Sequence, residues 1–175
     1  MRRLFYLILC ISLIACDDGD LQIETIDFDS VTIQTCDIVT PTSNNLLFKL
    51  NSTEALILEL PFGAINNAVT DGALEYDLAS TNTARVTYRS FSDTVSSDYF
   101  CSTIPITSPT VIDEVTAEGG SIFITTVLSE DSLSYEHTIE LSGISFVTSE
   151  NERITDLSIN NFGTVVTIIP PEEEG

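Results

Sequence analysis

Tryptophan is absent from the 175 residues, and there is one histidine and one methionine. Cations are nearly as scarce, with six Lys and Arg against 27 Asp and Glu, a formal charge of −21. So few positive side chains argue against nucleic acid, whose backbone demands basic patches. They also argue against adhesion of the protein body to acidic headgroups. A single histidine fits poorly with hydrolytic zinc, which takes two or three. The chain has no GxSxG elbow, no phosphate loop and no dinucleotide glycine pattern. It also lacks a repeat of fixed period and any internal linker long enough to divide it. Without Trp the strongest sugar-stacking platform is missing, leaving Tyr76, Tyr88 or Tyr99 for that role.

What is present begins at the N-terminus. Met1-Arg2-Arg3 is a cationic start, and Leu4 to Ala15 is apolar apart from Ser12. That run is roughly half the length needed to cross a bilayer as a helix, so it reads as a secretory signal. Leu13-Ile14-Ala15-Cys16 then resembles the lipobox of bacterial lipoproteins: a large aliphatic residue, a variable one and a small one ahead of a cysteine. The resemblance implies a signal peptide at 1–15, cleavage before Cys16 and lipid on the Cys16 thiol. Two or three acyl chains together give stable anchoring. Asp17-Asp18-Gly19-Asp20 is similar to the acidic tract that follows the cysteine in surface-exposed lipoproteins of Bacteroidetes-type bacteria. A plain solvated spacer is the alternative. The expected location is the cell envelope, anchored at the outer membrane and either periplasmic or surface-exposed.

Removing residues 1–15 leaves Lys49, Arg85, Arg89 and Arg153 as the only cations against all 27 acids. Such a charge keeps a chain soluble and repels its neighbours. Of four cysteines, Cys10 leaves with the signal and Cys16 goes to lipid, so Cys36 and Cys101 are expected to form one disulfide. Closing a loop of that length contributes roughly 4 kcal/mol in the chain-entropy picture. A metal pair has no CxxC or histidine neighbour to support it.

From residue 21 to 169 the chain reads as strands, rich in Thr, Ser, Val and Ile and without a long 3.6-residue period. Strands are expected over Leu21–Glu24, Ile26–Phe28, Val31–Gln34, Leu46–Leu50, Ala55–Leu60, Ala73–Leu78 and Ala84–Arg89. In the last of these, Arg85, Thr87 and Arg89 share one face. Tyr99–Ile104 and Val111–Ala117 follow, and Glu118-Gly119-Gly120 signals a turn. Ile122–Leu128 is apolar on both faces, as a central strand should be. Leu133, Tyr135, His137, Ile139 and Leu141 alternate with polar residues and should face the core. Gly143 marks a bend or bulge. Asn160-Asn161-Phe162-Gly163 reads as a turn before a strand over Thr164–Ile169. Residues 170–175 form an acidic tail.

The expected fold is one all-β domain: an antiparallel β-sandwich, Ig-like in the broad sense, with a jelly roll or small barrel as the alternative. The phrases Val95–Cys101 and Phe162-Gly163-Thr164 resemble those of uncharacterised envelope lipoproteins of flavobacteria, a likeness that carries no activity with it.

Candidate chemistry is sparse. His137 lies on an apolar face and reads as a satisfied core histidine. Asp113 and Glu114 are adjacent, hence on opposite faces, and make a poor glycosidase pair. Calcium is the most plausible ion for so acidic a chain, but no ligand set is assignable. Asp27 and Asp29 begin an EF-hand spacing whose glycine does not follow. Asp29-Ser30-Val31, Asp93-Thr94-Val95 and Asp131-Ser132-Leu133 resemble the O-glycosylation site of Bacteroidetes-type bacteria. Ser30, Thr94 and Ser132 are therefore candidates for sugar, in turns or at strand ends. Asn51-Ser52-Thr53 fits an N-glycan acceptor, which a bacterial context discounts.

These readings lead to a non-enzymatic envelope lipoprotein that binds a protein or glycan or serves as an accessory subunit. A surface-polymer hydrolase using carboxylates or His137 is the second reading. A calcium-stabilised adhesive module is the third.

Overall fold

A computed structural model describes residues 28–80, 84–147, 153–155 and 161–170. The expected strands at 21–24 and 26–27, Cys16 with its flanking motifs, and the tail after residue 170 lie outside the described residues. The fold is all-β and antiparallel, as expected. A nine-stranded sheet curls into a half-barrel, so its two ends face each other across one core.

The chain enters through β1 (Gln34–Thr35), β2 (Asn45–Asn51) and β3 (Glu54–Leu60), which pair in that order. β4 (Leu74–Asp77) lies apart, on the far half of the sheet. β5 (Arg85–Phe91) pairs with β3, and a helical turn α1 (Asp98–Cys101) follows. Two long strands complete the framework, β6 (Val111–Leu128) and β7 (Ser134–Val147). β8 (Arg153–Thr155) and β9 (Asn161–Ile168) both pair with β7. The first half of β6 pairs with β5, and its second half lies between β4 and β7.

Alternation explains which side chains go inward. Leu56, Leu58 and Leu60 of β3, Val86 and Tyr88 of β5, and Val115 and Ala117 of β6 enter the main core. Ile122, Ile124, Ile139, Leu141 and Phe146 complete it from the other half. The opposite face of β2, β3 and β5 builds a second, smaller core of Phe48, Ala55, Ile57, Phe91 and Val95, with Tyr99 and Phe100 packed against it.

Four expectations change. The strand expected over Val31–Gln34 shrinks to its last residue, which opens β1. Tyr99–Ile104 was expected to be a strand, but 98–101 is a helical turn closed by Phe100 N–H and Cys101 N–H donating to the Ser97 carbonyl. Tyr99 meets Phe91 edge-on at 4.9 Å, while Phe100 stacks on Phe48 at 4.5 Å. Successive residues of a strand point to opposite faces, so only a helical turn lets both rings reach the same cluster. Glu118-Gly119-Gly120 is no turn, because β6 runs through it with shifts of register against β7 on either side of Gly119. Asn161-Phe162-Gly163 is likewise part of a strand, with a bulge opposite Ile139 and Glu140. A further detail departs from the pattern: Leu133 precedes β7 and stays exposed, while His137, Ile139 and Leu141 are buried as expected.

The bulge in β6 needs glycine. Gly120 has φ +108°, and a Cβ there would sit 2.8 Å from the carbonyl oxygens of Ser142 and Gly143. The extra residue bends both strands together, which is how one sheet turns to face itself.

Lys49 lies on the inward face of β2 and is 2% exposed. Its ammonium donates to the Phe28 carbonyl at 2.8 Å and the Asn161 carbonyl at 3.0 Å, and lies 5.6 Å from the centre of the Phe162 ring. A buried charge persists only with partners of this kind.

Gly120→Ala is expected to lower unfolding free energy by about 2–4 kcal/mol, since positive φ and a backbone clash act together. Gly119→Ala meets nothing within 4 Å and is expected to cost about 1 kcal/mol or less. Urea unfolding of the two variants side by side checks this. Equal losses would place the bend elsewhere.

Candidate functional site

His137 is fully buried. Its Nδ1 and Nε2 lie 2.8 Å from the hydroxyls of Thr126 on β6 and Thr167 on β9. The Thr167 hydroxyl donates onward to the Asn67 side-chain oxygen. One tautomer satisfies all three groups: Thr126 O–H donates to Nδ1, and Nε2–H donates to Thr167. Thr70 extends the system, its hydroxyl accepting from Thr126 N–H at 3.0 Å. The loop between β3 and β4 is thereby fastened across β6 and β9. Burial pushes the imidazole pKa down, so the ring is neutral at neutral pH. A fully buried ring bonded to two threonines is placed for packing rather than for contact with substrate.

The open surface lies on the other side of the sheet. Directly opposed residues build a ladder there: Leu46–Glu59–Arg85 across β2, β3 and β5, then Ile57–Thr87–Thr116 and Ala55–Arg89–Glu114 across β3, β5 and β6. α1 covers the Phe48 and Phe91 end and leaves the Leu46 and Arg85 end open. Three hollows of about 280, 360 and 430 Å³ meet around Leu46 and form one groove. Phe100 of α1 lines two of them. The segment from Thr35 to Asn45 forms a wall on the β2 side.

Charge is balanced along this floor. The Arg89 guanidinium engages Glu114 through Nε at 2.6 Å and through Nη2, and its Cζ lies 5.9 Å from the centre of the Phe100 ring. Arg85 reaches Glu59 at 3.7 Å, and its side chain is 64% exposed. The Thr87 and Thr116 hydroxyls are 3.4 Å apart. The shared face of Arg85, Thr87 and Arg89 was readable from alternation. Glu59, Glu114, Thr116 and Phe100 were not, because strand order decides which residues stand opposite.

Cys36 and Cys101 form a disulfide with a Cα separation of 5.1 Å, which joins the groove wall to α1. Ser30, Thr94 and Ser132 all lie outside the strands and are exposed. Ser132 has φ +57° in a turn where the Asp131 carboxylate accepts from Ser129 and from the Leu133 N–H. Those bonds hold the Asp131 pKa below its usual value. Asp113 and Glu114 diverge as adjacent strand residues should, with Glu114 on the groove face. Among the described residues, no three His, Cys, Asp or Glu side chains converge as a metal site would require. No helix there is long and apolar enough to cross a membrane.

The chain matches no protein-family model, no curated protein and no solved structure.

Two outcomes are expected. Because the His137 pKa is depressed on folding, its contribution to stability is complete above the unfolded value of about 6.5 and is lost as pH falls toward the folded value. The slope from this residue is at most about 1.4 kcal/mol per pH unit. His137→Gln should flatten that part of the profile between pH 7 and 5, measured by urea titration; an unchanged slope would assign the pH dependence to other groups. Replacing Cys36 and Cys101 by Ser should lower stability by about 2–4 kcal/mol and broaden the Phe100 ring resonances. Sharp, unshifted resonances in the variant would mean that α1 is held without the bond.

Proposed function

We propose that this protein is a lipoprotein of a bacterial cell envelope, anchored at the outer membrane through lipid on Cys16, with a non-enzymatic binding module as its body. The groove around Leu46 is the contact surface of that module. The observation that carries the reading is the contrast between the two faces of the fold. Buried polar chemistry, His137 with its threonines, is consumed in fastening the loop between β3 and β4. Accessible polar chemistry is gathered beside Phe100 in an open groove.

The sequence supports the tether. The Leu13–Cys16 motif follows a cationic, apolar signal, and the acidic residues 17–20 suit a solvated spacer or an export signal to the surface. The partner would be an envelope protein or glycan. Ser30, Thr94 and Ser132 are exposed where a glycosyltransferase could reach them.

Cys16→Ser is expected to abolish lipid labelling and either release the protein from the membrane fraction or leave residues 1–15 attached. Equal membrane retention in the variant would overturn the anchor. Intact mass of the mature wild-type protein should show the lipid, and any hexose increments would report sugar on the three Ser and Thr sites; a lipid-only mass would rule the sugars out.

A further inference from the structure

We infer that the groove around Leu46 takes a neutral oligosaccharide, a class of ligand that the reading above, on which this rests, leaves open. Four features of the groove point to it.

The first is charge. The chain carries −21, which repels an anionic ligand at long range. On the groove floor Arg85 stands against Glu59 and Arg89 against Glu114, and the wall adds the one carboxylate of Asp37. The floor itself therefore favours neither sign, and a single wall acid gives a cation little preference there over the rest of the acidic surface. A ligand selected by this groove is therefore one without net charge.

The second is the form of the polar groups. Guanidinium and carboxylate are planar forks that can engage two neighbouring oxygens at once. Arg85 and Glu59 are exposed and only 3.7 Å from each other, so both can open toward hydroxyl groups that donate and accept together. Thr116 adds an exposed hydroxyl between the pairs, backed by that of the buried Thr87 3.4 Å away. Vicinal diols match this array, being donors and acceptors at short, fixed spacing.

The third is the floor itself. The ladders linking β2, β3, β5 and β6 use the backbone groups beneath the groove. A peptide lying over β3 and β5 cannot extend the sheet, because both are flanked on either side and strand addition needs a free edge. Over those two strands recognition falls to side chains alone.

The fourth is size and apolar contact. Hollows of about 280–430 Å³ fall near the low end of small-ligand sites, roughly 300–1,000 Å³. The three adjoin at Leu46 and together offer room for more than one ring. Leu46 and the accessible part of Phe100 supply an apolar surface for the C–H face of a sugar, as aromatic rings do.

The test is a titration of the isotopically labelled full chain, followed by NMR, with cellohexaose, maltohexaose, xylohexaose and mannohexaose in turn. Hexagalacturonate and an acidic octapeptide serve as contrasts. At least one neutral hexasaccharide is expected to bind with Kd of about 10 μM to 1 mM, moving resonances of Leu46, Arg85, Thr87 and Thr116. Arg85→Met, at an exposed position, should weaken that binding at least tenfold, and Thr116→Val should weaken it in the same direction. Val166→Thr, on the outer face of β9, should leave it unchanged. Silence of the groove toward all four neutral sugars, or binding indifferent to Arg85→Met, would overturn the inference. If hexagalacturonate or the peptide moves the groove resonances instead, the ligand class is wrong and the groove still stands as the contact surface. Shifts gathered around Val127, Val166 and Ile168 would defeat both.

Discussion

The close approach of β6 and β7 at Gly120 and Gly143 is the constraint from which the rest of the architecture follows. β6 pairs with β5 in one half of the sheet and with β7 in the other, so the sheet can curl only if β6 and β7 bend at the same place. A side chain at Gly120 would collide with the backbone across the ladder. The bend places Ile122, Ile124, Ile139 and Leu141 opposite Leu56, Leu58 and Val86, and the main core fills the space between. The other face of β2, β3 and β5 is left outside the curl, where α1 covers part of it and the groove occupies the remainder.

Much of this was legible in the sequence, and the gaps have physical causes. Strand content, the inward face of β7 and the pairing of Cys36 with Cys101 follow from alternation and from the two cysteines that removal of a signal and lipidation would leave over. Local patterns failed where a non-local neighbour set the outcome. Gly119-Gly120 reads as a turn in isolation, yet the strands on either side keep their partners, so the pair becomes a bulge. Tyr99-Phe100 reads as strand by composition, but both rings belong to one aromatic cluster and need the same face. Lys49 interrupts an apolar strand and gives no sign that carbonyls at Phe28 and Asn161 await it. The groove was half visible as the shared face of Arg85, Thr87 and Arg89. Its acidic partners come from β3 and β6, and only the order of strands brings them opposite.

Electrostatics divides the molecule in a related way. An acidic chain with few cations could scatter them over its surface to relieve repulsion. Here Lys49 is spent inside, and Arg85 and Arg89 stand on one face beside two glutamates. Their worth to stability is small at such exposure. Their position, next to a groove bordered by a disulfide-held helical turn, suits them to the recognition role proposed above.

The bridge made by Lys49 also sets how the body carries load. Phe28 lies at the upstream end of the described chain, and Asn161 opens its last strand. The Lys49 ammonium joins their two carbonyls from the middle of β2. Tension arriving along the backbone ahead of residue 28 therefore meets a charge-assisted clamp that couples the entry segment to β2 and β9 at once. It is shared across the layers of the fold instead of peeling one strand from an edge. For a body held to a surface by one end, such a clamp is a mechanical fuse. Parting of the clamp would free the entry segment while every sheet ladder stayed paired.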